Sequence, residues 1–109
     1  TKGKCGEVSD IYFNNIRCIS ENGCFIGGDT DTKVKNIYLN NIDITLKKET
    51  NFKGGRYDKR PCEGEGFIYE KTYGIYVTKA SNIKMNNFTV NLDNTFPKNQ
   101  YGGISNKEN

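Results

Sequence analysis

Asp10-Ile-Tyr-Phe-Asn-Asn-Ile-Arg-Cys18, Asn36-Ile-Tyr-Leu-Asn-Asn-Ile-Asp-Ile44 and Asn82-Ile-Lys-Met-Asn-Asn-Phe-Thr-Val90 are one phrase written three times. Apolar and polar residues alternate on both sides of an Asn-Asn step, which is the period of a β-strand. Each phrase therefore reads as two short strands joined by a tight turn. Aligned, the phrases give four apolar columns: Ile11, Ile37 and Ile83; Phe13, Leu39 and Met85; Ile16, Ile42 and Phe88; Cys18, Ile44 and Val90. Tyr12, Tyr38 and Lys84 alternate with these columns, as do Arg17, Asp43 and Thr89, and are expected to face solvent.

A third short strand follows each phrase: Cys24-Phe25-Ile26, Ile75-Tyr76-Val77 and a weaker Gly103-Ile104-Ser105. Strands this short do not bury a face alone, so like is expected to stack on like, with about 4.8 Å between neighbours. The expected fold is all-β, a right-handed parallel β-helix (solenoid) of about three coils. The first period, Ile11 to Ile37, is 26 residues and the second, Ile37 to Ile83, is 46. The difference is one insertion, roughly Lys47 to Tyr73. The paired Asn residues at 14/15, 40/41 and 86/87 are expected to stack at a corner. Asn tolerates the left-handed backbone, and its amide both donates and accepts. A β-sandwich with Asn-Asn hairpin turns is the alternative.

The chain has 109 residues and a net charge of +3, which gives one domain, residues 1–109, and no nucleic-acid partner, because the basic residues never run beyond two in succession. No stretch reaches the roughly 20 apolar residues of a membrane helix, so no membrane partner is expected. The chain opens at Thr1, which suggests a processed product or an excised piece.

The coil phrase, with Ser20-Glu-Asn-Gly-Cys-Phe-Ile-Gly-Gly28 and Gly54-Gly-Arg-Tyr-Asp-Lys-Arg-Pro-Cys62, resembles pectin-active right-handed β-helices. It is most similar to the late coils of bacterial glycoside hydrolase family 28, the polygalacturonase-like proteins. In that family a Gly-Gly-x-x-Asp-x-Arg-Pro loop precedes a Gly-Ile-Tyr-Val coil, and Gly74-Ile-Tyr-Val77 follows here. The resemblance spans about residues 7 to 92. It implies a secreted or periplasmic polysaccharide-degrading protein of which this chain is a C-terminal portion. The family's Asn-Thr-Asp, Asp-Asp, Gly-His-Gly and Arg-Ile-Lys motifs are absent, and the chain has no His. No catalytic residue carries over, and the chain alone is not expected to be catalytic.

The insertion brings Arg56, Tyr57, Asp58 and Arg60 together, with Glu63 and Glu65 beyond them. Guanidinium forks suit sugar carboxylates and rings stack on pyranose faces, so Arg56, Tyr57, Asp58 and Arg60 are the candidate substrate-binding residues, for a polysaccharide, an acidic one in preference to a neutral one. The competing expectation is a self-sealed loop in which Asp58 pairs with Arg56 or Arg60. Asp29 with Asp31, or Asp58 with Glu63, are the carboxylate pairs that glycoside hydrolysis would require, at a spacing the sequence does not give. Gly-Gly-Asp-Thr-Asp at 27–31 is a single acidic turn without the periodic cage of a calcium site. No cofactor or metal is expected.

Four cysteines allow three disulfide connectivities. Cys18 and Cys24 fall in inward positions and are expected as buried thiols, and Cys5 and Cys62 lie in irregular segments. Asn87-Phe-Thr89 forms a glycosylation sequon, but Asn87 belongs to the corner stack. Residues 91–109 are expected as a partial cap. Three coils leave two apolar ends, so self-association through them is expected. Two readings stand beside the polysaccharide-degrading one: a non-catalytic carbohydrate-binding module, and a structural stub docked end to end on another chain.

Overall fold

The computed structural model describes residues 6–28, 33–51, 56–58, 67–69 and 71–108. The strands are β1 (Val8–Ser20), β2 (Cys24–Gly27), β3 (Val34–Leu46), β4 (Arg56–Asp58), β5 (Phe67–Tyr69), β6 (Thr72–Thr78), β7 (Ser81–Leu92) and β8 (Tyr101–Lys107), with one 3-10 turn at Lys98–Gln100. The chain is all-β. No helix among the described residues is long and apolar enough to cross a membrane.

Two three-stranded sheets carry the molecule, in the orders β1-β3-β7 and β2-β6-β8, and every pair in them is parallel. A strand pairs with its counterpart in the next repeat and not with its neighbour in sequence. The Asn-Asn steps are therefore not hairpin turns, and the antiparallel sandwich does not form. Register follows the four apolar columns: Ile11 opposes Ile37, which opposes Ile83, and the Phe13, Ile16 and Cys18 columns follow in step. A one-residue slip would turn every inward side chain to solvent, so the apolar pattern enforces this register.

Each long strand is bent twice. Asp10, Asn36 and Asn82 have φ of 59°, 57° and 56°, and Asn15, Asn41 and Asn87 have φ of 59°, 57° and 60°. Only Asn and Asp among non-glycine residues take this left-handed backbone readily. The second Asn of each pair makes the expected corner. The matching bend five residues earlier, at the first residue of each phrase, is a second corner that alternation alone does not reveal. Both corners carry side-chain ladders. Asn36 Nδ2 donates to Asp10 Oδ1 (3.0 Å) and Asn82 Nδ2 to Asn36 Oδ1 (2.8 Å). Asn41 Nδ2 donates to Asn15 Oδ1 (3.0 Å) and Asn87 Nδ2 to Asn41 Oδ1 (2.9 Å). Asn40 Nδ2 adds a rung to Asn14 Oδ1 (2.9 Å).

The core lies between the two sheets. It is built on Val34, Ile37, Leu39, Ile42, Ile44 and Leu46 of β3, with Ile75 and Val77 of β6. Burial of a side chain of this size contributes about 1.5–3 kcal/mol, so the middle repeat supplies most of the apolar stabilisation. Outward residues align as expected: the Tyr12 and Tyr38 rings stack at 4.6 Å, and Arg17, Asp43 and Thr89 follow one another across the sheet.

In the third repeat a ladder irregularity pairs Tyr73 with Gly103 and then Ile75 with Ile104, so Ile104 continues the Cys24–Ile75 column. The segment after Val90, expected as a partial cap carrying the weak strand Gly103-Ile104-Ser105, buries Phe96 against the core and forms that strand within β8, the third strand of the second sheet.

Candidate functional site

The insertion leaves the first sheet after Leu46 and joins the second at Thr72. Its beginning is fastened to its neighbours. Lys48 Nζ meets Glu21 Oε1 at 2.9 Å, and Thr50 Oγ1 donates to the same oxygen at 3.0 Å. These donors, Lys48 first, hold the Glu21 carboxyl below its ordinary value of 4.5. The Lys48 N–H donates to Thr95 Oγ1, whose hydroxyl donates to Asp93 Oδ2 at 2.6 Å. That hydroxyl and the Thr95 N–H pull the Asp93 carboxyl below 3.8. The connections after β1, β3 and β7 thus meet at one corner, although they differ widely in length.

The far part of the insertion contains a short antiparallel ladder, with Arg56 opposite Tyr69, Tyr57 opposite Ile68 and Asp58 opposite Phe67. Tyr57 is 3% exposed yet does not belong to the aliphatic core. Its ring centroid lies 5.4 Å from Phe25, nearly stacked, and 5.4 Å from Tyr76, with Tyr73 against Tyr76 at 5.1 Å. Such offset and edge contacts add about 0.5–1.5 kcal/mol each beyond burial. The Tyr57 hydroxyl accepts the Tyr73 N–H at 2.8 Å. Burial pushes the Tyr57 phenol up, although that N–H opposes the shift. Phe25 and Tyr76 oppose one another across β2 and β6 and alternate with the inward Cys24, Ile75, Ile26 and Val77. The insertion is therefore pinned to the second sheet on the face away from the core.

Of the four candidate binding residues, Tyr57 is this anchor, and Arg56 and Asp58 flank it in β4. Arg60 lies outside the described residues, as do Glu63, Glu65, Asp29, Asp31, Cys5 and Cys62. The carboxylate pairs that hydrolysis would require therefore fall outside them too. The aromatic platform of Phe25, Tyr73 and Tyr76 goes beyond the sequence expectation. Its signal is present in the chain: an aromatic at the outward position of the second-sheet strand in two successive repeats, with a tyrosine-bearing insertion between them. Cys18 and Cys24 are free, half-buried thiols. Burial first, and the neighbouring Cys18 second, push the Cys24 thiol up. Gly23, at φ +66°, passes so close to the Tyr73 carbonyl that a Cβ there would overlap it.

Comparison with family models, with curated proteins and with solved structures gave no match to the chain.

Proposed function

We propose that residues 1–109 are one stretch of a right-handed parallel β-helix from a secreted or periplasmic, polygalacturonase-like protein, and that the insertion contacts an acidic polysaccharide while catalysis is carried outside this chain. The observation that carries this reading is the parallel register of three repeats, like on like, in both sheets. A crossover from one parallel strand to the next in the same sheet is right-handed in about 98% of cases. Sheets in this order, linked repeat by repeat, fit a coil that advances by one strand spacing per turn.

Such a stack is a rigid support, and long loops on rigid supports tend to carry binding. Tyr57 roots the insertion, so Arg56 and Asp58 leave from a fixed base, with Arg60 close behind in sequence. Two planar cations four residues apart in sequence, Arg56 and Arg60, favour a carboxylate-bearing sugar over a neutral one.

Titration with oligogalacturonides tests this reading. Binding should weaken as salt rises, because exposed charges are screened over about 8 Å at physiological ionic strength. Arg56→Ala and Arg60→Ala should each weaken it by up to roughly fivefold, the range of exposed ion pairs, and a neutral oligosaccharide should bind less well. Binding unchanged in the double variant removes the insertion as the site. Release of reducing sugar by the purified chain, abolished by Asp29→Asn or Asp58→Asn, overturns the assignment of catalysis elsewhere.

A further inference from the structure

The two ends of the strand stack are built differently. At the β7 end, Glu108 Oε1 accepts the Ile83 N–H at 3.0 Å, and its other oxygen takes Asn106 Nδ2 at 2.9 Å. A carboxylate thus occupies a donor on the strand edge turned away from β3, one of the ways proteins blunt an edge. The inward Met85, Phe88 and Val90 are half-buried there. At the β1 end, Val8, Phe13 and Ile16 are exposed, and two apolar hollows of ≈ 240 Å³ each open there. The first is lined by Phe13, Ile16, Cys18 and Cys24 among others, the second by Ile11 and Phe13.

Resting on the solenoid reading above, we propose that the β1/β2 face is a docking surface for one further parallel coil of this repeat, stacked ahead of Val8. The ladders give the direction. In every rung the later repeat donates Nδ2 and the earlier one accepts on Oδ1. Asn14 and Asn15 spend Oδ1 on the repeat behind them, so their Nδ2 groups point ahead, toward acceptors on an incoming coil. Asp10 has no amide to offer. It ends its column with a carboxylate, which calls for a donor opposite. The Tyr12 ring, stacked on Tyr38 on one side, is 63% exposed and continues the stack outward.

Two features speak against a second copy as the occupant. Antiparallel docking of a second copy, with the bends at 10 and 15 superposed, sets Asp10 opposite Asn15 and so Tyr12 opposite Phe13. An outward ring then meets an inward one, so bends and faces cannot both match. Head-to-tail docking of a second copy must expel Glu108 from Ile83 and set Asn82 Oδ1 against the Asp10 carboxylate. A coil with side-chain oxygens opposite Asn14 and Asn15, a donor opposite Asp10 and apolar residues opposite Ile11, Phe13, Ile16 and Cys18 meets every requirement, and it extends the β1–β3 interface unchanged.

The thiols in the first hollow report on coverage. In the full chain carrying Cys5→Ser and Cys62→Ser, alkylation of Cys18 and Cys24 by iodoacetamide is followed by mass. It is compared with the same chain extended at its N-terminus by a second copy of residues 8–33, that copy carrying Cys18→Ser, Cys24→Ser and Asp10→Asn. Alkylation of the original thiols should slow by roughly tenfold or more once they react only through local opening. Asn14→Ala with Asn15→Ala in the original chain should restore part of the rate. Equal rates with and without the extension overturn the proposal. So does protection that grows with concentration in the unextended chain as it sediments to a dimer, which would make a second copy the occupant. Amide exchange across β3 and β7 separates the two levels: protection there with equal alkylation sinks the docking alone, and loss of protection in both chains sinks the solenoid reading beneath it.

Discussion

β1 and β3 carry nearly the same phrase and adopt the same bends, yet β1 is mostly exposed whereas β3 buries its whole inward face. Ile16 is 38% exposed, whereas its register partner Ile42 is 3% exposed; Phe13 is 39%, against 5% for Leu39. The difference does not lie in the residues. Among the described residues β3 has a strand on each side and β1 has one. Burial in a stacked fold is a property of the neighbours, and stability is a sum over repeats and the interfaces between them.

The sharpest way to break that comparison is the same substitution in both repeats. Ile37→Asp puts an unpaired charge at a position 2% exposed and should unfold the chain or cost more than about 4 kcal/mol. Ile11→Asp, at the register partner, which is only partly buried, should cost less than half as much. Urea midpoints of the two variants decide it, and equal losses would mean that the first repeat is covered in solution. A smaller effect separates backbone from ladder at the corner. Asn41 has φ 57°, donates to Asn15 and accepts from Asn87. Asn41→Ala should cost about 1–2 kcal/mol for the left-handed backbone. Asn41→Gly should recover most of that, leaving the two exposed hydrogen bonds as the remainder. If Gly is as damaging as Ala, the ladder outweighs the bend.

The smallest effect is electrostatic and tests what ties the first repeat to the second. Glu21 is held below its ordinary value by Lys48 and Thr50. A carboxyl lowered on folding binds its proton more readily when unfolded. Its contribution is present above about pH 4.5 and is lost as pH falls through the lowered folded value. The urea midpoint should therefore drop on acidification, and Glu21→Gln should flatten part of that drop. Asp93, lowered by Thr95, acts with the same sign: its contribution is present above about pH 3.8 and is lost as pH falls through its lowered folded value. A profile unchanged by Glu21→Gln would show that the Lys48 contact is not made in solution.

The four apolar columns are legible in the sequence because each residue meets its own counterpart, so alignment of the phrases is also the contact map. The bend at Asp10, Asn36 and Asn82 is not. An Asn at the head of an alternating run looks like a polar flank, and only its φ distinguishes a corner from a strand start. The Ile75–Ile104 pairing is hidden for a related reason. The ladder slips between Tyr73 and Ile75, which breaks the assumption of equal spacing. In the insertion, proximity along the chain brings Tyr57 together with Arg56 and Asp58. What its ring touches, Phe25 and Tyr76, lies in other repeats, and no local pattern encodes that. The edge role of Glu108 is equally hidden, since nothing near it in the chain names Ile83 as its partner.

The connections between the two sheets run over 21–23 in the first repeat, 47–71 in the second and 93–100 in the third, and the parallel columns continue across all three. Length at this one junction is decoupled from everything the strands do. It is a port in the evolutionary and the engineering sense: foreign segments can be spliced in, lengthened or exchanged while the surrounding lattice keeps its geometry. The requirements are a short tether at the entrance, as Glu21 gives Lys48 and Thr50, and an aromatic peg midway along, as Tyr57 gives the second sheet. A binding peptide grafted between those two fixtures would be displayed from a rigid base without redesign of a single core residue.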